Sequence, residues 1–149
     1  GTVSLKMCDV NNVSPYQNAF VLNTGSPHYV EEVDKLSSLN VFNEGQSIRY
    51  NDDFKDKGIN VNFVERINNN TIKVRTYERG VEGETLACGT GVTAAALAYQ
   101  FSTHQTIPEI EVHAKGGNMQ VKSRKTVLGF EQIWLCGPST FVYSGTFPL

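Results

Sequence analysis

Cys88 heads the tetrapeptide Cys88-Gly89-Thr90-Gly91, which runs directly into the uncharged segment Val92-Thr93-Ala94-Ala95-Ala96-Leu97-Ala98-Tyr99. That order places a thiol at the start of a helix, where the first backbone N–H groups have no partner within the helix. The partial positive charge there favours a thiolate, and the free N–H groups can hold an anion such as a substrate carboxylate. Glu78 and Arg79 stand one short loop upstream, two opposite charges beside a candidate reactive sulfur; a solvated ion pair is the alternative. His28 follows Gly25-Ser26-Pro27, a turn directly after the apolar run Ala19-Phe20-Val21-Leu22. A strand end is a common place for function, and a surface-turn histidine is the competing reading. A thiol hydrolase fits less well, because its cysteine needs a histidine base and the sequence neighbours of Cys88 are carboxylates.

Three cysteines, Cys8, Cys88 and Cys136, are an odd number at wide spacing, with no CxxC pair and no histidine cluster. They read as free thiols, and no metal is expected. Cys8 and Cys136 are expected to be buried and inert.

The 149 residues fit one domain, and a hydrophobic content of 40% suffices for a core. A net charge of -2, with 13 basic residues scattered along the chain, argues against nucleic acid as a partner. No apolar run of membrane-spanning length and no signal pattern occur, so no membrane partner is expected and a cytosolic location is the default.

The elements that must hold Cys88, Glu78, Arg79 and His28 follow from periodicity. Val3 to Met7 alternates as a half-buried strand, the asparagine-rich piece Asp9 to Asn12 with Pro15 reads as a turn, and Ala19 to Leu22 as a buried strand. Val41 to Tyr50 is weakly helical with Asn40 as its N-cap. Ile59 to Ile67 and Thr71 to Gly80 alternate around Asn68-Asn69-Asn70 as a hairpin, with Arg66, Lys73, Arg75 and Arg79 on its wet face. The helix from Gly91 to Phe101 is apolar all round and is expected to be buried. Ile110 to Ala114, Met119 to Lys122, Phe130 to Cys136 and Phe141 to Thr146 read as further strands. Seven or eight strands and two helices predict an α+β fold, a mixed, largely antiparallel sheet wrapped around a central buried helix.

Tyr77-Glu78-Arg79-Gly80 and Gly83-Glu84-Thr85-Leu86-Ala87-Cys88-Gly89-Thr90-Gly91 together resemble the signature of the diaminopimelate epimerase family. Gly25-Ser26-Pro27-His28, Ile48-Arg49-Tyr50, Asn60-Val61-Asn62-Phe63 and the terminal segment from Gly137-Pro138 to Gly145 resemble further landmarks of that family in the same order. The resemblance implies a cofactor-independent isomerase that interconverts LL- and meso-diaminopimelate in lysine biosynthesis with two cysteines on opposite faces of one α-carbon. By the same resemblance Cys88 is the second of those cysteines. Glu78 contacts the α-amino group and helps set the protonation of Cys88, and the N–H groups of Gly89 and Thr90 bind a carboxylate. Arg79 and Asn60 serve the distal end of the substrate, and His28 assists the other cysteine. Ser26 stands where the family has asparagine and offers one donor fewer.

The first half of the family's chain carries an Asn-Gly-x-x-Cys motif with the other thiol, and no such motif occurs here. The start at Gly1 also leads us to expect the second half only. Residues 1–140 are then the C-terminal domain, and residues 141–149 a last strand belonging to the absent N-terminal domain. The chain alone is expected to be inactive, its tail packed non-natively or engaged in a homodimer contact. Another racemase of the same fold, acting on proline or hydroxyproline or resembling phenazine-biosynthesis isomerases, is one alternative. A non-catalytic amino-acid-binding domain, with Cys88 merely a small residue, is another.

Overall fold

In the computed structural model, which describes residues 1–148, the uncharged run after Cys88 forms helix α2, Gly89–Ser102. Every residue from Gly91 to Gln100 is buried, as an all-apolar helix requires. Around it run strands β1 (Thr2–Lys6), β2 (Val13–Tyr16), β3 (Ala19–Asn23), β4 (Pro27–Glu32), β5 (Asn60–Arg66), β6 (Thr71–Glu78), β7 (Gly83–Thr85), β8 (Glu109–Ala114), β9 (Gly117–Lys125) and β10 (Phe130–Pro138). A short 3-10 turn, Leu36–Ser38, precedes helix α1, Val41–Arg49, whose N-cap Asn40 accepts a bond from the Asn43 N–H at 3.1 Å.

The strands form one sheet in the order β1-β10-β9-β8-β6-β5-β4-β3-β2, with β7 paired to β6. All pairs are antiparallel except β4–β5 and β6–β8. Helix α2 packs against β3 to β6 on one side and β8 to β10 on the other, so the sheet curls around it. Val10 and Phe130 exchange two backbone hydrogen bonds of 2.9 and 2.7 Å, tying the lead into β2 back to β10. The fold is therefore the expected α+β class with a mixed, largely antiparallel sheet, and α2 is buried against that sheet.

Side-chain alternation sorts the middle strands onto two covered faces. Val30, Val64, Ile72 and Val74 join the core around α2. Tyr29, Val61, Phe63 and Tyr77 point the other way, into a second core with Leu36 of the 3-10 turn and Val41 of α1. Burial on both faces explains why β5 is hidden without a break from Asn60 to Val64. It also fixes where polar side chains can gather, because His28, Asn62 and Thr76 share the α2 face with Val30, Val64 and Val74.

Several expectations need correction. Ten strands form. Val13–Tyr16 is a strand despite Pro15, because it is an edge strand. Pro27–Glu32 is also a strand, so His28 lies inside one, at 0% exposure, and the surface-turn reading falls. Strand β1, expected to be half-buried, is exposed on both faces and pairs only with β10, at the sheet edge. Cys8, just beyond it, is exposed rather than buried, whereas Cys136 is buried with its Sγ 3.3 Å from Ser4 Oγ.

Arg75 is not on a wet face. Its guanidinium binds both carboxylate oxygens of Glu84 at 2.6 and 2.8 Å and donates to the carbonyls of Leu36 and Leu39 at 2.8 and 3.0 Å.

Phe141 to Thr146 forms no strand, and Phe141, Val142, Tyr143 and Phe147 are exposed. The segment has apolar strand formers but no ladder to join; Leu149, the end of the expected 141–149 strand, lies outside the described residues. Immediately before this tail, Gly1 and Ser139 are joined by a bond from the amino terminus to the Ser139 carbonyl at 2.9 Å and one from the Ser139 N–H to the Gly1 carbonyl at 2.8 Å. Among the described residues no helix is long and apolar enough to cross a membrane.

Candidate functional site

The loop before α2 is held from two sides. Glu84 bridges Arg75 and Lys115, the latter at 2.8 Å, and the Leu86 carbonyl accepts the Gly116 N–H at 2.7 Å. Those ties deliver Cys88 to the N-cap position with extended dihedrals, φ -129 and ψ 112. No side chain caps the helix, so the N–H groups of Gly89 and Thr90 keep the open donor character of a helix start. Cys88 itself is half-buried.

Thr90 is where several strands meet this helix turn. Its carbonyl accepts the Thr24 hydroxyl at 2.8 Å, its own hydroxyl lies 2.9 Å from His28 Nε2, and it is 3.5 Å from Cys88 Sγ. On the far side of the ring, His28 Nδ1 is 3.0 Å from the Asn62 side-chain nitrogen. Asn62 in turn donates to the Tyr29 carbonyl at 3.0 Å and accepts the Thr76 hydroxyl at 2.9 Å. Burial first, and the charge of Arg79 second, lower the His28 pKa from 6.5 to about 4, so the ring is neutral at pH 7.

A second corner collects Ser26, Asn60 and Arg79. Asn60 donates to Ser26 Oγ at 2.7 Å and to the Pro27 carbonyl at 3.0 Å, and accepts the Arg79 N–H at 2.9 Å. The Arg79 guanidinium reaches the Lys57 carbonyl at 3.0 Å and Ser26 Oγ at 3.5 Å. Ser26 thus stays in contact with both partners although it is shorter than asparagine. Gly58, at φ +75, leaves the room Arg79 occupies, because a Cβ there would lie 2.6 Å from Arg79 Cδ. Glu78 ends β6 on the α2 face, half-buried, and its carboxylate makes no hydrogen bond among the described residues. The arrangement therefore offers a thiol at an open helix start, a neutral imidazole one hydroxyl away, and a guanidinium corner held by Asn60.

Asn62 and Thr76 were not singled out from the sequence. Their signal was a polar residue on the inward face of an otherwise apolar strand, which burial makes costly unless it is bonded. The second glycine of the Cys-Gly-Thr-Gly stretch answers to the same residue: a Cβ on Gly91 would lie 2.5 Å from Asn62 Oδ1. Gly91→Ala is therefore expected to destabilise the fold by about 2 kcal/mol, despite the better helix propensity of alanine. Urea unfolding of the two chains checks it.

The family model described as diaminopimelate epimerase matches residues 20–133. The diaminopimelate epimerase of Flavobacterium psychrophilum is 42% identical over 144 residues, covering 97% of this chain and 56% of its own. That of Aquifex aeolicus is 57% identical over 76 residues, covering 51% and 27%. The chain thus spans about half the length, or less, of these curated relatives. Among solved structures, a hydroxyproline epimerase from Agrobacterium vitis superposes with a TM-score of 0.65 at 13% identity, over 91% of this chain and 49% of that one, a likeness of fold alone. With the signature around Cys88 inside the matched region and the fold in agreement, the chain belongs to the diaminopimelate epimerase family.

Proposed function

We propose that this chain is one half of a cofactor-independent epimerase that interconverts LL- and meso-diaminopimelate. The observation that carries the reading is Cys88 at the uncapped start of α2, one hydroxyl away from a buried, neutral His28. An amino-acid α-hydrogen is very weakly acidic, so its removal needs a placed base, a placed acid and dipoles aimed at the carboxylate where charge develops. Cys88 serves one face of the α-carbon. The second thiol, on the opposite face, comes from an N-terminal domain, and His28 assists it.

The Gly89 and Thr90 N–H groups bind the reacting carboxylate, and Glu78 meets the α-amino group beside Cys88. Arg79, steadied by Asn60 and Ser26, grips the distal carboxylate through its remaining donors. That corner favours a two-carboxylate substrate over proline or hydroxyproline, the substrates of the competing racemase reading. Residues 1–140 form the C-terminal domain, and the exposed apolar tail from residue 141 belongs against the N-terminal domain. A homodimer contact is the other fate of that tail. The same reading puts the enzyme in the cytoplasm, with its small-molecule substrate.

The test is deuterium uptake from D₂O at the α-position. A polypeptide carrying this chain together with the N-terminal domain should exchange and epimerise diaminopimelate, while this chain alone should do neither. Exchange of proline in preference to diaminopimelate would overturn the substrate assignment.

A further inference from the structure

Asn62 fixes which nitrogen of His28 carries the proton. Its side-chain nitrogen faces two acceptor positions, the Tyr29 carbonyl and His28 Nδ1, both at 3.0 Å, while its oxygen takes the Thr76 hydroxyl at 2.9 Å. The opposite orientation of the amide would set its oxygen against the Tyr29 carbonyl, two acceptors with no hydrogen between them. The amide N–H therefore points at Nδ1, and a nitrogen that accepts is one without a proton. The ring proton lies on Nε2, 2.9 Å from Thr90 Oγ1. Since Thr90 Oγ1 accepts there, its own hydrogen is left to donate to Cys88 Sγ, 3.5 Å away.

We propose that Asn62 is a positioning residue of the reaction: held by Tyr29 and Thr76, it locks His28 as the Nε2–H tautomer and so orients the Thr90 hydroxyl toward Cys88. One buried amide thereby sets the polarity of a hydrogen-bond chain from β6 through β5 and β4 to the start of α2. His28 can exchange a proton with the substrate side only through Nε2, because Nδ1 is occupied from behind. All of this is built on the covered inner face, where Asn62 and His28 are each 0% exposed, so no water competes for either nitrogen. Arg79 is the charged group that bears on the ring.

The catalytic meaning rests on the epimerase reading above, but the tautomer does not. The experiment is ¹⁵N NMR of this chain labelled at histidine, near pH 7 and without substrate, which separates protonated from unprotonated ring nitrogens. The expected result for the unaltered chain is a His28 with bare Nδ1 and protonated Nε2. In Asn62→Asp the carboxylate can only accept, so the ring proton should appear on Nδ1 and the titration midpoint should rise by at least about one pH unit. A protonated Nδ1 in the unaltered chain overturns the proposal, with no variant needed, and so does an Asn62→Asp chain whose tautomer and midpoint are unchanged.

In the two-domain polypeptide the same variant should lower kcat far more than it raises KM and move the pH profile, whereas equal loss in both would speak against positioning. A failed diaminopimelate assay alongside the expected NMR result would strike the function and leave the tautomer assignment standing.

Discussion

Replacing Cys88 by alanine in a polypeptide that also supplies the N-terminal domain is expected to lower epimerisation of diaminopimelate by at least ~10³-fold, within the range that one placed acid or base contributes. The loss should fall on kcat. On the proposed reading the substrate is still held by the Gly89 and Thr90 N–H groups and by Arg79, and the helix start does not depend on the thiol, since Cys88 makes no side-chain cap. Deuterium exchange makes the result sharper than turnover alone. With one thiol gone, the other face of the α-carbon keeps a base, so the meso and LL isomers should lose exchange unequally. Cys88→Ser is the finer probe, because a hydroxyl in the same place keeps the shape and loses the readily ionised sulfur. Undiminished exchange of both isomers in Cys88→Ala would remove the role assigned to this residue.

The second expected result concerns acid. His28 has its pKa lowered from 6.5 to about 4 in the folded chain by burial and by Arg79. The unfolded chain thus binds a proton in a range where the folded chain does not, and stability falls as pH drops from 6.5 toward 4, being fully present above 6.5. A depression of that size corresponds to about 3 kcal/mol. The lowered carboxylate of Glu84, held down chiefly by the Arg75 hydrogen bonds, acts at lower pH: its contribution is present above its ordinary value of 4.5 and is lost below. The interval between 4.5 and 6.5 therefore isolates His28 from Glu84. His28→Gln, which cannot titrate, should flatten the fall in unfolding free energy across that interval. An equally steep fall in the variant would show that the buried imidazole is not its source.

The centre of the fold was readable because its cause is local. A helix with no charge from Gly91 to Phe101 has nowhere to go but inside a sheet, and the alternation of Ile59–Ile67 with Thr71–Gly80 announces a hairpin. What escaped was set by neighbours in space. Pro15 argues for a turn until one knows that its strand lies at an edge. Arg75 alternates like a solvent-facing residue, yet the turn at Leu36 and the loop at Glu84 close over it. Phe141 to Thr146 has the composition of a strand, but pairing requires a partner that the residues around it do not provide. In the site, Cys88 and His28 were marked by sequence context, whereas the link between them through Thr90, and the grip of Asn62 on the ring, depend on the parallel pairing of β4 with β5, which sets His28 opposite Asn60 and Val30 opposite Asn62.

The bonds between Gly1 and Ser139 bring the two ends of the folded unit to a single corner, where β1 and β10 run side by side in opposite directions. A unit whose entry and exit coincide behaves as a cassette: it can be spliced into a surface turn of a host protein, or cut out of one, without unthreading its sheet.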